Sequence, residues 1–550
     1  MKNFFKNNIY YFILILLSVP SVVALFHKGF YGASDDLHIA WLYEMDKIIK
    51  IGQLPPRFVP DLSFGFGYPL FNFVFPLPFY LGEIFHLLNF SFVDSIKLVL
   101  GFSLVASGVS MYLLLKEFLR KDISLVGALV YIYTPYRSTD VYVRGAVGEA
   151  LAFVFLPLVI YAIIKIITSR KYVALLAISL AALILSHDIV SYMFFPFLLL
   201  LILMLVFTPK KSKTYFLVSN FLGIISGLLL SSYFWIPAII ESKLMAYETV
   251  FDFKDHFPTI RQLITPYFGY GASVPGPYDL MSFFIGHINL ILLVLGGIFF
   301  AVYRKKFTVV ERTLLIWSFI VFFIGVFMMN YRSSFIWDSI PYLPYFQFPW
   351  RFLTLTTFSS VLFLLSFKYF SHKYLSWIVV VALGLLTLGI NYNYFKPHDF
   401  LERMDSYYIN RYIPIPIPSS DYLTLQEEYL RLPLATEKRP NKVYPLIFSD
   451  SPINFTVLST DGLNAKIQTT TTSEQLVYYN KYYFPGWTAS VDGKQAVIMA
   501  GFPFGQISLD LPKGGHIVEF RFNELNYKLV LDTISLVVLV SLIIYVKKIK

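Results

Sequence analysis

Two adjacent carboxylates, Asp35 and Asp36, lie in the motif YGASDDLH at residues 31–38. The spacing of apolar residues that follows predicts a helix with one face in lipid, capped by Ser34 and carrying both aspartates and His38 in its first turn. Carboxylates at such a place can take a proton from a hydroxyl group or hold a divalent cation, Mg²⁺ or Mn²⁺. The structural alternative is that negative charge at a helix N-terminus complements the helix dipole.

Further ionisable residues stand at the ends of apolar segments, where a charge needs a partner or a function. Residues 138–150 contain Asp140, Arg144 and Glu149, and Arg144 is the nearest partner for Glu149, so a structural ion pair is the alternative to a binding role. His187 and Asp188 interrupt a long apolar stretch at a tight hairpin, where a solvated turn is the alternative. Each of these residues is therefore a candidate substrate-binding residue.

The segment PYFQFPWRF at 344–352 places Arg351 where the rule for membrane orientation does not require a cation. A guanidinium offers a planar fork of donors that suits a phosphate, and Gln347 with Trp350 suits a lipid head group. Interfacial anchoring is the alternative. The sequence contains no G-x-x-x-x-G-K phosphate loop, no G-x-S-x-G elbow and no H-E-x-x-H motif, which argues against nucleotide-driven chemistry.

The composition identifies the elements that must position these residues. Of 550 residues, 57% are hydrophobic, 19% are aromatic and only 14% are charged, which is more apolar surface than a water-soluble core can bury. We therefore predict a polytopic α-helical membrane protein with about 12 transmembrane helices of roughly 20 residues each. The predicted spans are 9–27, 95–115, 123–135, 149–167, 172–187, 189–207, 215–237, 283–303, 313–329, 352–370, 374–391 and 528–546.

Segment 73–90 is excluded from the spans, because Pro76, Pro78, Glu83 and His86 suit a re-entrant or interfacial helix better. The basic clusters between spans then fall on one side, which the positive-inside rule assigns to the cytoplasm together with both termini. The formal net charge of +11 is explained by this topology rather than by nucleic acid. The absence of cysteine excludes disulfides and thiolate chemistry.

The predicted topology divides the chain into four parts and places its long loops outside the cell membrane. These parts are a transmembrane domain at 1–391 with the outer loop 28–94, an irregular connector at 392–450, an exported β-sandwich domain at 451–527, and a final transmembrane helix with a basic tail at 528–550. Short strands separated by turn signals support the sandwich. They are predicted at 454–458, 475–483, 487–491, 495–499, 505–511 and 516–522.

Several motifs carry a resemblance to known proteins. The run from YGASDDLH through GQLPPRFVPDLSFGFGYPLFNFVFPLPFY at 52–80, with YVRGAVGEA at 142–150 and FQFPWRF at 346–352, resembles a family of microbial membrane proteins, some of them labelled as related to 6-pyruvoyl-tetrahydropterin synthase. The segments YYFPGWTASVDGK at 482–494 and LPKGGHIVEFRF at 511–522 resemble the exported β-domain of bacterial membrane proteins that glycosylate cell-wall polymers. The broader resemblance is to the GT-C glycosyltransferase superfamily.

This resemblance implies a multi-span enzyme of the cell membrane that uses a polyprenyl-phosphate sugar. It implies transfer to an extracytoplasmic glycan, lipid or protein acceptor, with an essential acidic residue at the position of Asp35 or Asp36. The zinc site of histidines in the soluble pterin synthase cannot be assembled from this sequence. The substrate-binding roles are assigned from position to His38, Arg144, Glu149, His187, Asp188, Gln347 and Arg351.

Two other functions remain open. A transporter or flippase of lipid-linked glycans would also need carboxylates and arginines at the outer face, but alternating access usually leaves charges near the midplane of the membrane. Here the ionisable residues lie mostly at the outer ends of spans. A non-catalytic scaffold for envelope assembly would tolerate the loss of every acidic residue named above.

Overall fold

A computed structural model describes residues 2–208, 212–246, 252–369, 373–424 and 430–548. Long apolar helices form the larger part, and two β-sheets lie near the C-terminus. The helices are α1 (Lys2–Val22), α2 (His38–Lys50), α3 (Leu70–Phe73), α4 (Leu77–Leu87), α5 (Phe92–Leu115), α6 (Lys121–Tyr133), α7 (Pro135–Ser138), α8 (Val147–Ile166), α9 (Val173–Ser186), α10 (Asp188–Leu205), α11 (Lys213–Leu230), α12 (Ser232–Glu241), α13 (Ile260–Ile264), α14 (His287–Tyr303), α15 (Val309–Met328), α16 (Ser334–Ser339), α17 (Leu353–Leu362), α18 (Lys373–Asn391), α19 (Asp405–Tyr412) and α20 (Asn526–Lys548). The strands are β1 (Phe30–Tyr31), β2 (Phe400–Arg403), β3 (Ile447–Phe448), β4 (Asn454–Thr460), β5 (Ala465–Thr471), β6 (Gln475–Tyr482), β7 (Trp487–Val491), β8 (Lys494–Ala496), β9 (Met499–Gly501), β10 (Gln506–Leu511) and β11 (Gly514–Phe522).

Each predicted span contains a helix, and eight helices within the described ranges are long and apolar enough to cross a membrane. The predicted spans 123–135 and 172–187 correspond to α6 and α9, which have 13 and 14 residues. The excluded segment 73–90 holds α4, an 11-residue helix. Its length of about 16 Å is roughly half of a hydrocarbon core.

The first loop differs from its prediction at its start. α2 begins at His38, and Ser34 does not cap it. The reason is that the backbone N–H groups of Ser34 and Asp35 donate to the carbonyls of Val143 and Arg144 instead, which holds this stretch as a turn. The predicted lipid-facing side of α2 is also wrong, because its apolar face packs on α4, α5 and α19. Its fully buried residues include Ile39, Leu42, Met45 and Ile48.

The C-terminal strands form a β-sandwich of two antiparallel sheets. One sheet has the order β3-β6-β10-β9 and the other β4-β5-β11-β7-β8. The sheets face each other through stacked rings, with Tyr479 of β6 lying 4.2 Å from Phe520 of β11 between ring centroids. Strand β5 was not among the predicted strands, since its sequence AKIQTTT is largely polar. Its alternate residues are nevertheless buried, as expected of a strand with one face in a core.

The connector, predicted to be irregular, reaches back to the first loop through two regular elements. β2 pairs with β1, and Gly29 beside β1 has φ of +71°, where a Cβ atom would lie 2.4 Å from the Glu402 carbonyl carbon. The carboxylate of Asp405 in α19 accepts from the backbone N–H groups of Phe92 and Val93, at 2.9 and 2.8 Å, at the start of α5. The connector therefore covers the loop that carries the paired aspartates.

Candidate functional site

The site is built where the first loop meets the turn before α8. The backbone N–H of Asp35 donates to the Arg144 carbonyl at 2.7 Å, and His38 Nδ1 lies 3.2 Å from the Gly145 carbonyl. A carbonyl only accepts, so Nδ1 of His38 carries the hydrogen. Burial lowers the pKa of His38, which keeps its ring neutral. His38 thus joins the two segments rather than offering a charge to a ligand.

Arg144 is the centre of the site and ends a π-helix at Thr139–Arg144. Its Nη1 donates to Glu149 Oε2 at 2.6 Å and to Asp140 Oδ1 at 3.0 Å, and its Nη2 lies 3.8 Å from Asp35 Oδ2. We call Asp35, Asp140, Arg144 and Glu149 the arginine cluster. Burial opposes the charge of Arg144, but the surrounding carboxylates outweigh it and raise its pKa well above the usual range. The guanidinium is therefore held charged.

Glu149 is fully buried and fully engaged. One carboxylate oxygen accepts from the Tyr136 hydroxyl at 2.6 Å and from the Thr354 hydroxyl, and the other accepts from Arg144. Thr354 lies on α17, so Glu149 links the turn before α8 to the span that follows Arg351. This arrangement suits a carboxylate that positions Arg144, since its oxygens are occupied by protein donors.

The two aspartates of the first loop face different partners. Asp36 is 8% exposed, accepts a hydrogen bond from the Tyr412 hydroxyl, and lies 3.7 Å from Arg411 Nε. Burial raises the pKa of Asp36, and Tyr412 and Arg411 oppose that rise. The Asp35 side chain is 32% exposed and belongs to the arginine cluster. Asp35 is consequently the aspartate of the pair that an incoming molecule can reach beside Arg144.

The hairpin between α9 and α10 separates its two predicted residues. His187 is buried, and its Nδ1 accepts from the backbone N–H of Val190 at 3.2 Å, so the ring hydrogen lies on Nε2. The ring of His187 stacks on Phe75, with centroids 5.1 Å apart. Asp188 is exposed in the first turn of α10. The hairpin thus gives the site a neutral imidazole with one N–H and an exposed carboxylate.

Arg351 lies on the neighbouring span with donors to spare. Its Nη2 donates to Gln347 Oε1 at 3.4 Å, and its guanidinium lies 5.5 Å from the Phe348 ring centroid. Among the residues that the structure describes, the buried Nε atom of Arg351 and the buried Nε1 atom of Trp350 have no hydrogen-bond partner. Buried donors are usually paired, so these two N–H groups mark a place for a ligand with acceptor oxygens.

Gln347 supports the same interpretation through its backbone. Its φ is +65°, a conformation that favours glycine and that costs other residues about 1–3 kcal/mol. Strain of this kind collects at ligand sites, where surrounding structure enforces it. Trp350, three residues on, lies 4.9 Å from the Arg144 guanidinium and so connects the arginine cluster to this segment.

Several site residues were not found from the sequence. Tyr136 and Thr354 are hydroxyls in apolar surroundings, and no sequence pattern singled them out. Arg411 and Tyr412 belong to the connector. Within the described ranges, no group of three or more His, Asp or Glu side chains is placed to hold a metal ion.

The fold and the site together define a polytopic membrane protein with a charged cluster at the face that carries the sandwich. The chain belongs to the 6-pyruvoyl-tetrahydropterin synthase related family of membrane proteins, whose model matches residues 71–395. A protein of Lactococcus lactis subsp. cremoris (strain MG1363), described as uncharacterized, is 29% identical over 255 residues. That match covers 44% of this chain and 41% of the relative, so the chain spans under half the relative's length.

Solved structures show a more distant likeness. The arabinofuranosyltransferase AftD from Mycobacteria is 15% identical with a TM-score of 0.48, over 73% of this chain and 28% of its own. The oligosaccharyltransferase of Archaeoglobus fulgidus is 14% identical with a TM-score of 0.44, over 80% of this chain and 61% of its own.

Proposed function

We propose that this protein is a membrane glycosyltransferase that transfers a sugar from a polyprenyl-phosphate donor to an extracytoplasmic acceptor, with inversion at the anomeric carbon. The observation that carries the proposal is an accessible carboxylate, Asp35, held beside Arg144 in the same site as Arg351, whose buried Nε has no hydrogen-bond partner among the described residues. The resemblance of the sequence motifs implies an essential acidic residue at the position of Asp35 or Asp36, which supports the same assignment.

The charges of the site suit this reaction. The acceptor hydroxyl attacks the anomeric carbon, its proton passes to Asp35, and the bond from that carbon to the phosphate oxygen breaks. The phosphate leaves as an anion that Arg351 stabilises, so the step needs no acid to protonate it. Arg144 remains paired with Glu149 and holds Asp35 at 3.8 Å. Attack from the side opposite the phosphate gives inversion.

The proposal assigns Asp35 the role of base rather than metal ligand. Asp140 and Glu149 direct carboxylate oxygens at Arg144, and Asp36 contacts Tyr412, so the neighbouring carboxylates do not converge with Asp35 on one point. The proposed transfer reaction therefore does not use Mg²⁺ or Mn²⁺. The sandwich, which packs on the first loop, would shield the site and contact the acceptor, whether glycan, lipid or protein.

The test is a transfer assay with purified protein in lipid. A panel of polyprenyl-phosphate sugars is supplied with a mixture of envelope glycans, and released polyprenyl phosphate is measured. We expect release with one donor class, dependent on acceptor and lost in Asp35→Asn. Movement of lipid-linked glycan across the bilayer without any release would contradict the proposal and favour a flippase.

The proposed reaction requires the sandwich to be extracytoplasmic and both termini to be cytoplasmic. The basic clusters between predicted spans support this orientation. Lys494 of β8 and Ser212 before α11 are both exposed, and the chain has no cysteine of its own. In intact cells, Lys494→Cys should react with an impermeant thiol reagent and Ser212→Cys should not. The reverse labelling pattern would contradict the orientation.

A further inference from the structure

The segment at residues 331–346, between α15 and the span of Arg351, exposes large apolar side chains. We call it the aromatic loop. It contains α16, and only two of its residues are charged, Arg332 and Asp338. Its exposed large side chains are Tyr331, Phe335, Ile340, Tyr342 and Tyr345, with Tyr342 65% and Phe335 62% exposed. A concentration of exposed aromatic side chains in one short segment suits contact with a partner or a membrane.

The aromatic loop is a fixed structure rather than a loose connection. Trp337 is fully buried, and its Nε1 donates to the Met328 carbonyl at 3.1 Å. The Trp337 ring stacks on Phe253 with centroids 5.3 Å apart and meets Phe352 of the following span at 6.1 Å. The inner side of the loop is thus packed on protein, and the exposed rings are held outward by that packing.

The exposed rings continue the lipid-facing surfaces of two spans. On α15, Phe327 and Phe323 are exposed, about four and eight residues before Tyr331. On α10, the half-exposed Tyr192 lies edge-on to Phe346 of the loop, with centroids 5.4 Å apart. Tyrosine and tryptophan prefer the boundary between hydrocarbon and head groups. The occupant that fits this surface is therefore the lipid of the adjoining leaflet.

We infer that the aromatic loop lies in the leaflet on the side of the site and, together with α10, frames a lateral entrance from the bilayer to Arg351. The loop ends at Phe346, directly before Gln347 and just ahead of Arg351, whose buried Nε has no hydrogen-bond partner among the described residues. Asp188, exposed at the start of α10, stands at the other side of this entrance. The membrane contact is independent of the reaction, whereas the entry of a lipid-linked phosphate rests on the proposed function.

Fluorescence quenching tests the membrane contact. Tyr342→Cys and Phe335→Cys, each labelled with an environment-sensitive dye, are placed in vesicles that contain spin-labelled lipids. We expect strong quenching by the lipids and weak quenching by aqueous iodide. Lys494→Cys on the sandwich is the matched control and should show the opposite pattern. Equal iodide quenching at all three positions would overturn the inference.

Kinetics with two donors test the entrance. Replacing Phe335 and Tyr342 by serine should raise, several-fold, the membrane concentration of a long-chain donor needed for half-maximal rate. The rate with a short-chain, water-soluble donor should stay unchanged, since such a donor does not enter from the leaflet. Equal effects on both donors would overturn the entrance. If the wild-type protein transferred neither donor, the proposed function would fail while the quenching result stood.

Discussion

Comparing two of the clusters of buried charge in the described part of the chain distinguishes a candidate site from a structural interface. The arginine cluster joins the first loop to α8. The second, which we call the interface cluster, consists of Glu44, Lys47, Asp61 and Lys481 and lies between the first loop and the sandwich. In it, Lys47 Nζ lies 2.5 Å from Asp61 Oδ2, and Lys481 Nζ donates to the Gly65 carbonyl at 2.6 Å.

The interface cluster shows that burial strongly shifts the pKa values of charged groups. Such shifts do not by themselves indicate a catalytic site. Burial and the nearby Asp61 raise the pKa of Glu44 well above its ordinary value. Burial lowers the pKa of Lys481 to about 8. Perturbed groups of this kind are often taken as signs of function, but structural networks produce them as well. Here Lys481 is directed to backbone carbonyls, which suits a joint between two parts of the chain.

The arginine cluster differs in having an open side. Its Asp35 is one-third exposed, and it borders Arg351 and Trp350, which have unpaired buried donors among the described residues. A ligand can therefore complete this cluster at its unpaired donors. In the interface cluster the Lys47 side chain is 29% exposed, but it is already paired with Asp61, and Lys481 donates to a backbone carbonyl. The site is therefore distinguished by an accessible carboxylate next to unpaired donors, and not by buried charge alone.

The largest effect is expected at Asp35. Asp35→Asn keeps the side-chain volume but removes the proton acceptor, so turnover should fall by about 10²–10⁴-fold. Asp36→Asn is the matched control, because Asp36 contacts the connector, and its turnover per folded molecule should stay near wild type. Transfer rates at equal amounts of folded protein provide the measurement. Rescue of Asp35→Asn by added Mg²⁺ or Mn²⁺ would contradict the role of base.

A smaller effect is expected at Arg351, which tests the open side of the cluster. Arg351→Ala removes charge-assisted hydrogen bonds to the donor phosphate, each worth about 1.5–3 kcal/mol, so affinity should fall roughly 10- to 150-fold. Arg351→Lys keeps the charge without the planar fork and should lie between alanine and wild type. Binding of a non-reactive lipid phosphate measures both. Unchanged affinity in both variants would remove Arg351 from the phosphate site.

The smallest effect is expected in the interface cluster, at Glu44. Because the pKa of Glu44 is raised in the folded state, the folded protein binds more protons than the unfolded one between the ordinary value of 4.5 and the raised value. Stability therefore falls as the pH rises through that window. Glu44→Gln removes this loss and should stabilise the protein at neutral pH by about 1 kcal/mol.

Thermal unfolding of wild type and Glu44→Gln, measured at neutral pH and near the ordinary glutamate pKa, tests that expectation. The difference between the two proteins should shrink as the pH falls, since Glu44 is then protonated in both states. Turnover at neutral pH should be unchanged. If Glu44→Gln lost turnover without a change in thermal stability, Glu44 would belong to the site. The two clusters would then not differ in function as proposed.

The sequence predicts the helices well because lipid demands continuous apolar runs, which leave a strong pattern. The sandwich was predicted from alternation and turns, yet β5 escaped because threonines in AKIQTTT fill buried positions that apolar residues usually occupy. The start of α2 was wrong because hydrogen bonds from residues 34–35 to 143–144 override local helix signals. Errors thus arose where distant segments determine local structure.

The site could be predicted from the sequence only in part, for the same reason. Asp35 and Arg351 could be singled out from their positions, but the different roles of Asp35 and Asp36 could not. Their partners differ through Tyr412, which is 376 residues from Asp36 along the chain. No local pattern carries that information, and Thr354, which binds Glu149 from another span, is a further case.

The contact between the first loop and the connector also determines when the first loop can complete its folding during synthesis. Asp36 emerges from the ribosome early, but Tyr412 follows 376 residues later. At about 5–20 residues per second, that interval is roughly 20–75 s. During this interval the first loop therefore lacks its covering segment, because β2 and α19 have not yet been synthesised. A chain shortened before the connector would carry all the residues of the arginine cluster and still lack the segment that holds their loop in place.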